Sequence, residues 1–304
     1  MKEILYKLLK YKPIIFIDQL IFRIGEDSVF AIGAQLAYFL VLSIFPFLIM
    51  LLNTITYTPL VDIDVLYSII NYLPIDIQNI IISFVNDLVI SSNKELLSVA
   101  AFVGIWTASS GVTPVIRAIN KAYNYQEKRS YIKLKFLSIL FTIALLVLLI
   151  LVFSTLVIGE LLGKKLFEFL GKGELFLSIW SNIRFITPIF FMIFIFALLY
   201  KFSPCIEHRR DLKLIKSLPG GIFTTLGWIL TSTIFSFYLS NFGSRYSTTY
   251  GSLGGVIVLL VWLYLSSIII VLGGEINGTL RYFKVNNYEI NTDMSVIKKI
   301  LDKL

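Results

Sequence analysis

Charge is what this chain has least of. Asp, Glu, Lys and Arg make up 15% of its 304 residues. A soluble chain of this size would need polar surface that this one lacks. Cysteine occurs once, at Cys205, which rules out an intramolecular disulfide. Histidine also occurs once, at His208, which leaves little for a zinc or iron site. Metal-dependent hydrolysis is therefore not expected, nor is a cofactor. No phosphate-binding glycine loop with its lysine is present, so any work must come from a gradient, a partner or downhill movement.

What is there is apolar: 57% hydrophobic residues and a mean hydropathy of +0.83. Between Tyr246 and Gly274 the chain runs without a charge and then places a carboxylate, Glu275, within Leu-Gly-Gly-Glu-Ile-Asn. At helical rise such a run exceeds the hydrocarbon thickness of a bilayer, roughly 30 Å, and an acid at its end needs a partner or a function. Further charge-free runs cover Ser28 to Val61, Leu96 to Ile116, Phe136 to Ile158 and Ser217 to Gly243. These patterns predict an all-α, polytopic integral membrane protein with six transmembrane helices near 30–52, 96–116, 136–158, 184–202, 216–240 and 252–275. The fourth is short, because only Phe185 to Tyr200 follows Arg184 without charge, about 24 Å at helical rise. If Arg184 snorkels to the outer headgroups, Leu175 to Ile183 completes the crossing.

Basic residues set the expected orientation. The N-terminal segment, the 2–3 loop, the 4–5 loop and the C-terminal tail hold five, six, five and five Lys and Arg, while the alternate loops hold one, four and one. That bias places both termini in the cytoplasm. The net charge of +8 then reads as topology and attraction to anionic lipid, not as nucleic-acid binding. Tyr131, Tyr200 and Tyr282 fall at the expected inner boundary, and Tyr57, Trp180, Tyr238 and Tyr250 at the outer one.

The chain divides into a cytoplasmic amphipathic N-terminal segment (1–29), one transmembrane domain (30–280) and a cytoplasmic tail (281–304). In the first, Ile4, Leu5, Leu8 and Leu9 alternate with Lys2, Lys7 and Lys10, which predicts an interfacial helix that Pro13 ends or bends. Outside, between the first two spans, Ile77, Ile81, Phe84, Val85 and Leu88 recur at helical spacing, predicting short amphipathic helices. In the tail Ile297, Ile300, Leu301 and Leu304 recur likewise and dock weakly or stay mobile.

The third span is plain Leu, Ile and Phe, whereas the first, second, fifth and sixth carry polar and small residues and are expected to form the interior. Gln35, Tyr38, Ser43 and Pro46 interrupt the first span; Trp106, Ser109, Ser110, Gly111, Thr113 and Pro114 interrupt the second. Pro46 and Pro114 each expose a carbonyl that protein, water or a ligand must satisfy, so tight packing and a broken-helix binding site both stay open. Counted from the cytoplasmic ends, Gln35, Arg117, Asn120, Glu275 and Asn277 reach one depth near that membrane face. Arg117 and Glu275 form a candidate partly buried pair there, either a clamp on helix order or a gate and headgroup site. On the outer side the stretch Phe237 to Gly255, with Asn241, Tyr250, Gly251 and Gly254, predicts a tight turn re-entering the helix at Leu253. Arg184, Asn241 and Tyr250 are the outer candidates for a polar path.

The order of these features resembles the YihY/BrkB family of bacterial inner-membrane proteins. The matching strings are Leu36-Ala-Tyr-Phe-Leu-Val-Leu-Ser-Ile-Phe-Pro46, Trp106-Thr-Ala-Ser-Ser-Gly111 with Ile116-Arg-Ala-Ile-Asn120, Phe202-Ser-Pro204, Leu218-Pro-Gly220, Tyr238-Leu-Ser-Asn241, Tyr250-Gly-Ser-Leu-Gly254 and Trp262-Leu-Tyr264 leading to Gly274-Glu-Ile-Asn277. They span nearly the whole bundle, while the outside segment and both termini carry little of the resemblance. The resemblance implies a six-helix membrane protein for which transport or export of envelope lipids is suspected. A ribonuclease label has also attached to that family, but no acidic cluster, histidine pair or soluble domain here supports it.

The expected function is therefore a transporter or lipid-translocating protein of the cell envelope, without enzymatic chemistry. Its expected partners are membrane lipids, anionic ones among them, and no nucleic acid; a homo-oligomer or envelope proteins stay open as further partners. The alternative is a non-transporting structural or interaction factor. A 3+3 inverted repeat gains no support, because aligning Trp106 with Trp262 pairs the second span with the sixth.

Overall fold

The computed structural model describes residues 11–57, 94–153, 173–205, 213–250, 253–285 and 295–297. Among the described residues every regular element is a helix: α1 (Lys12–Glu26), α2 (Val29–Tyr57), α3 (Lys94–Ala122), α4 (Tyr131–Phe153), α5 (Gly173–Phe202), α6 (Leu214–Tyr250) and α7 (Leu253–Val285). Helices α2 to α7 lie over the six apolar runs. By length and apolarity four qualify to cross a bilayer, in α3, α4, α6 and α7, or five when the bent pair α1 and Val29–Ile44 counts as one crossing. Ile186–Phe202 of α5 is apolar but shorter than such a span. The chain is a multi-pass helical membrane protein.

Exposed apolar side chains follow helical stripes, as lipid-facing surfaces must. On α4 these are Ile132, Phe136, Leu140, Ile143 and Val147; on α6 they are Ile222, Leu226, Leu230, Ile234 and Phe237. The fifth expected span joins the interior only near its start, where Ser217, Gly220, Gly221, Thr224 and Thr225 are buried; beyond Thr225 the described residues of that span are half-buried or exposed. Polarity misled there because Thr and Ser can satisfy their hydroxyls on their own helix, as Thr233 does on the Ile229 carbonyl. The centre is built instead from α3, α7 and the inner half of α5, where Val115, Ile116, Ile119, Val271 and Tyr200 are almost wholly buried.

Two backbone crossings hold this centre together. A Cβ at Gly220 of α6 would collide with the Gly273 carbonyl and the Asn277 amide of α7, and one at Gly278 would collide with the Ala122 carbonyl at the end of α3. Helices approach this closely only where a side chain is missing. Tyr200 ties α5 into the same region, since its hydroxyl donates to the Ile270 carbonyl at 2.7 Å and pairs with Thr224 Oγ1 at 2.6 Å. Tyr200 is therefore a core residue and not a ring at the headgroup level.

Pro13 starts a helix, and whether it also ends one before it lies outside the described residues. It sits in the first turn of α1, where a missing N–H costs nothing. Residues 4–9 lie outside the described residues, as do the expected outer amphipathic helices around 77–88 and Gly251. Between α1 and α2 the axis turns by 55° at Asp27 and Ser28, and Ser28 takes φ 54° to make the corner. That left-handed backbone is uncommon for a residue other than glycine. A similar left-handed residue, Asn124 (φ 59°), ends α3, with the Tyr125 N–H closing on the Asn120 carbonyl at 2.9 Å. The stretch expected as an outer turn is helical as far as Tyr250. In the tail, the Ile297 N–H docks on Asp18 Oδ1 of α1 at 2.9 Å.

Candidate functional site

The C-terminal ends of α3, α5 and α7, the start of α4 and α6, and α1 gather at one end of the bundle, here termed the basic end. In α3 the spacing of Ser110, Thr113, Pro114, Arg117 and Lys121 puts all five on one face. Gly111 lets α2 close against them, since a Cβ there would stand 2.9 Å from both Leu36 and Phe39. Between this face, Gln35 of α2 and Tyr131 and Lys135 of α4 lies a pocket of about 450 Å³. Three cations line it, Arg117, Lys121 and Lys135, and no carboxylate does. Hydroxyls and an amide from Ser110, Thr113, Tyr131 and Gln35 complete a surface suited to an anion.

Each cation is held differently. Lys135 is buried; its Nζ donates to the Trp106 carbonyl at 2.9 Å and to Ser110 Oγ at 2.8 Å, and lies 4.4 Å from the centre of the Trp106 ring. The hydroxyls of Ser109 and Ser110 also turn to the Trp106 carbonyl. Lys121 reaches the other way, pairing with Asp27 at 2.9 Å and donating to the Glu26 carbonyl at 2.7 Å. Arg117 is exposed and forms no hydrogen bond or ion pair among the described residues.

Arg117 and Glu275 do not pair. Although both lie at the basic end, α7 meets α3 through Ile119 and Ala122, and Arg117, two residues before Ile119, points about 200° away around the helix. Glu275 instead faces the α1–α2 corner. It is wholly buried, no N–H or hydroxyl among the described residues reaches either carboxylate oxygen, and it meets the Asp27 carboxyl, with Arg23 and Lys121 the basic groups acting on it. Arg23 is itself buried; its Nη1 donates to the Ala122 carbonyl at 2.5 Å and its guanidinium lies 5.2 Å from the Tyr282 ring.

The two asparagines act as clamps. Asn277 accepts from the Gly220 N–H at 2.8 Å and donates to the Ser217 carbonyl at 3.0 Å, fastening α7 to α6 beside Pro219, whose ring removes a backbone donor. Asn120 donates to Glu127 Oε2 at 2.6 Å and accepts from the Cys205 N–H at 2.5 Å, so the α3–α4 connection is tied to the end of α5. Arg129 completes that tie through Glu127 and the Ser203 carbonyl. Burial alone would raise the Glu127 pKa. Hydrogen bonds from the Arg129 side chain and N–H, then the Arg129 and Arg117 charges, outweigh it and hold the carboxyl below its ordinary value of 4.5.

The pocket thus unites Gln35, Ser110, Arg117 and Pro114, and leaves other candidates apart. Tyr38 is exposed against Phe39, while Ser43 and Ser109 are buried and bonded to their own helices. Asn241 is exposed and bonds the Phe237 carbonyl, and Gly254 is buried. The side chains of Pro46, Arg184 and Tyr250 lie outside the described residues. Sequence reasoning passed over Lys135, Lys121, Asp27 and Arg23. The signal was there: Lys121 follows Arg117 by one helical turn, and Asp27 and Lys135 each stand immediately before a charge-free run.

The putative ribonuclease-like protein YfkH of Bacillus subtilis (strain 168) is 41% identical over 250 residues, covering 82% of this chain and 89% of that protein. UPF0761 membrane proteins of Tolumonas auensis and Psychromonas ingrahamii are 23% and 25% identical, each over more than four fifths of both chains. No solved structure matches. The family described as Virulence factor BrkB matches residues 20–294, which takes in the pocket, the α1–α2 corner and the glycine crossings alike, and the chain belongs to that family.

Proposed function

We propose that this chain moves or exports envelope lipid, taking anionic headgroups at the basic end of the bundle. One observation carries the reading: a pocket of about 450 Å³ lined, among the described residues, by three cations and no acid, at the end of the bundle that this reading sets at headgroup level. Each Lys or Arg near an anionic membrane surface contributes about 1 kcal/mol of attraction. The reading includes six crossings with both termini and the basic end in the cytoplasm, supported by the excess of Lys and Arg on those connections. It assigns the chain no covalent step and no nucleic-acid partner.

A specific observation favours the second reading, a non-transporting envelope factor. Where α3, α6 and α7 meet, backbone packs directly on backbone at Gly220 and Gly278, leaving no room there for a path. A lipid route therefore follows the flank formed by α2, α3 and α4. Purified protein in liposomes, with headgroup-labelled phosphatidylglycerol followed between leaflets, tests this. The wild type is expected to exceed the protein-free rate, Arg117→Ala to fall below the wild type, and Glu275→Gln to report whether the buried carboxylate is needed. Folded wild type that leaves lipid movement at the protein-free rate overturns translocation and leaves the envelope-factor reading.

A further inference from the structure

A second concavity lies on the far side of α4, away from the pocket. It is an apolar groove of about 920 Å³ between α4 and α5, with Phe136, Leu140 and Ala144 along one wall and Ile195 and Leu198 along the other. Its charged lining residues are Arg129 and Lys133, both at the basic end. From Lys133 to Ala144 is eleven residues, about 16 Å at helical rise. Half of a hydrocarbon core roughly 30 Å thick is about 15 Å. The groove is thus one leaflet deep, open to the bilayer, and basic only where headgroups lie.

We infer that this groove is a binding site for one anionic glycerophospholipid, with an acyl chain laid between α4 and α5 and the phosphate at Arg129 and Lys133. The charge arrangement selects the occupant. Arg129 spends Nε and Nη2 on Glu127 and the Ser203 carbonyl, but its Nη1 is buried and has no hydrogen-bond partner. A buried guanidinium N–H left open is costly, and a small shift of the side chain toward the groove would present it to a phosphate oxygen. Lys133 is exposed in the first turn of α4, four residues after Arg129. Exposed Phe136 and Leu140, at 69% and 52%, present apolar surface that an acyl chain covers without cost to a polar group. The site does not depend on translocation: a lipid held here is a structural or regulatory ligand even if the chain moves none.

The test uses full-length protein in nanodiscs containing phosphatidylglycerol or phosphatidylcholine, each with a photoreactive diazirine on one acyl chain. Cross-links from phosphatidylglycerol are expected to map to Phe136–Ala144 and Ile195–Phe202, severalfold above those from phosphatidylcholine. Ala144→Trp, which fills the groove, is expected to lower that yield about tenfold, and Lys133→Gln to lower it about fivefold for phosphatidylglycerol only. Melting temperatures of both variants are measured alongside, and Leu140→Trp serves if Ala144→Trp does not fold. Cross-links spread evenly over all exposed apolar stripes, or equal yields from the two lipids, overturn the site. So does a cross-link joining two copies of the chain through the groove. Failure here with intact lipid movement in liposomes leaves the pocket's role standing, and the converse result separates the two sites.

Discussion

Arg117 is the cation whose removal reads binding with least disturbance to the fold, because it is exposed and makes no hydrogen bond or ion pair among the described residues. Its electrostatic link to Glu127 is the smallest of those acting on that carboxyl, so Arg117→Gln should change stability by no more than about 0.5 kcal/mol. For an anionic headgroup in the pocket the loss is larger. A surface-exposed cation contributes about 1 kcal/mol to an anion, which is roughly fivefold in affinity. Reversing the sign in Arg117→Glu should about double that, to roughly thirtyfold. Raising salt from 0.05 to 0.5 M should shrink both differences, since the screening length then falls to a few Å. Equilibrium binding of fluorescent phosphatidylglycerol to protein in neutral nanodiscs measures this directly, with phosphatidylcholine as the control. If both variants bind phosphatidylglycerol within twofold of the wild type, or lose phosphatidylcholine equally, the pocket is not a headgroup site.

Other perturbations test the frame around it. Glu127 has a folded pKa held below 4.5, so its stabilisation is present at neutral pH and lost as pH falls through the folded value; thermal melts from pH 7 to 3 should lose stability more steeply in wild type than in Glu127→Gln. Gly278→Val should destabilise by about 1–3 kcal/mol through collision with the Ala122 carbonyl, visible as a melting point lower by several degrees; an unchanged melt would place the α3–α7 crossing elsewhere. Cys205, the single thiol in the chain, is partly exposed at the basic end. A membrane-impermeant maleimide should label it in inside-out vesicles and not in intact right-side-out ones, and the opposite pattern would invert the orientation.

Depth was legible in the sequence and direction around the helix was not. The charge-free runs coincide with α2 to α7, and counting along them puts Gln35, Arg117, Asn120, Glu275 and Asn277 toward the helix ends that gather at the basic end. Whether two residues at one level face each other depends on which side of each helix meets which neighbour, and apolar spans hide this because lipid and protein interior are equally greasy. Hence Arg117 and Glu275 share a level but face opposite ways. The polar content of α6 misled for a related reason: beyond Thr225, hydroxyls such as those of Thr233 and Ser240 are satisfied on their own helix and require no neighbour. Lys135 escaped notice because a lysine at the edge of an apolar run reads as a loop charge, whereas its amine turns inward to the Trp106 carbonyl.

Direct backbone contact also governs how this protein can deform. At the Gly220 and Gly278 crossings there is no pliant side chain to rotate or slide, so α3, α6 and α7 travel as one rigid block. Helix α2 is gripped by the same means, since a Cβ at Gly33 would stand 2.8 Å from Ile268 and one at Gly111 2.9 Å from Leu36 and Phe39, which leaves the Ser28 corner as the natural pivot for α1. The basic pocket therefore has one fixed wall, because six of its lining residues, Ser110 to Lys121, belong to α3.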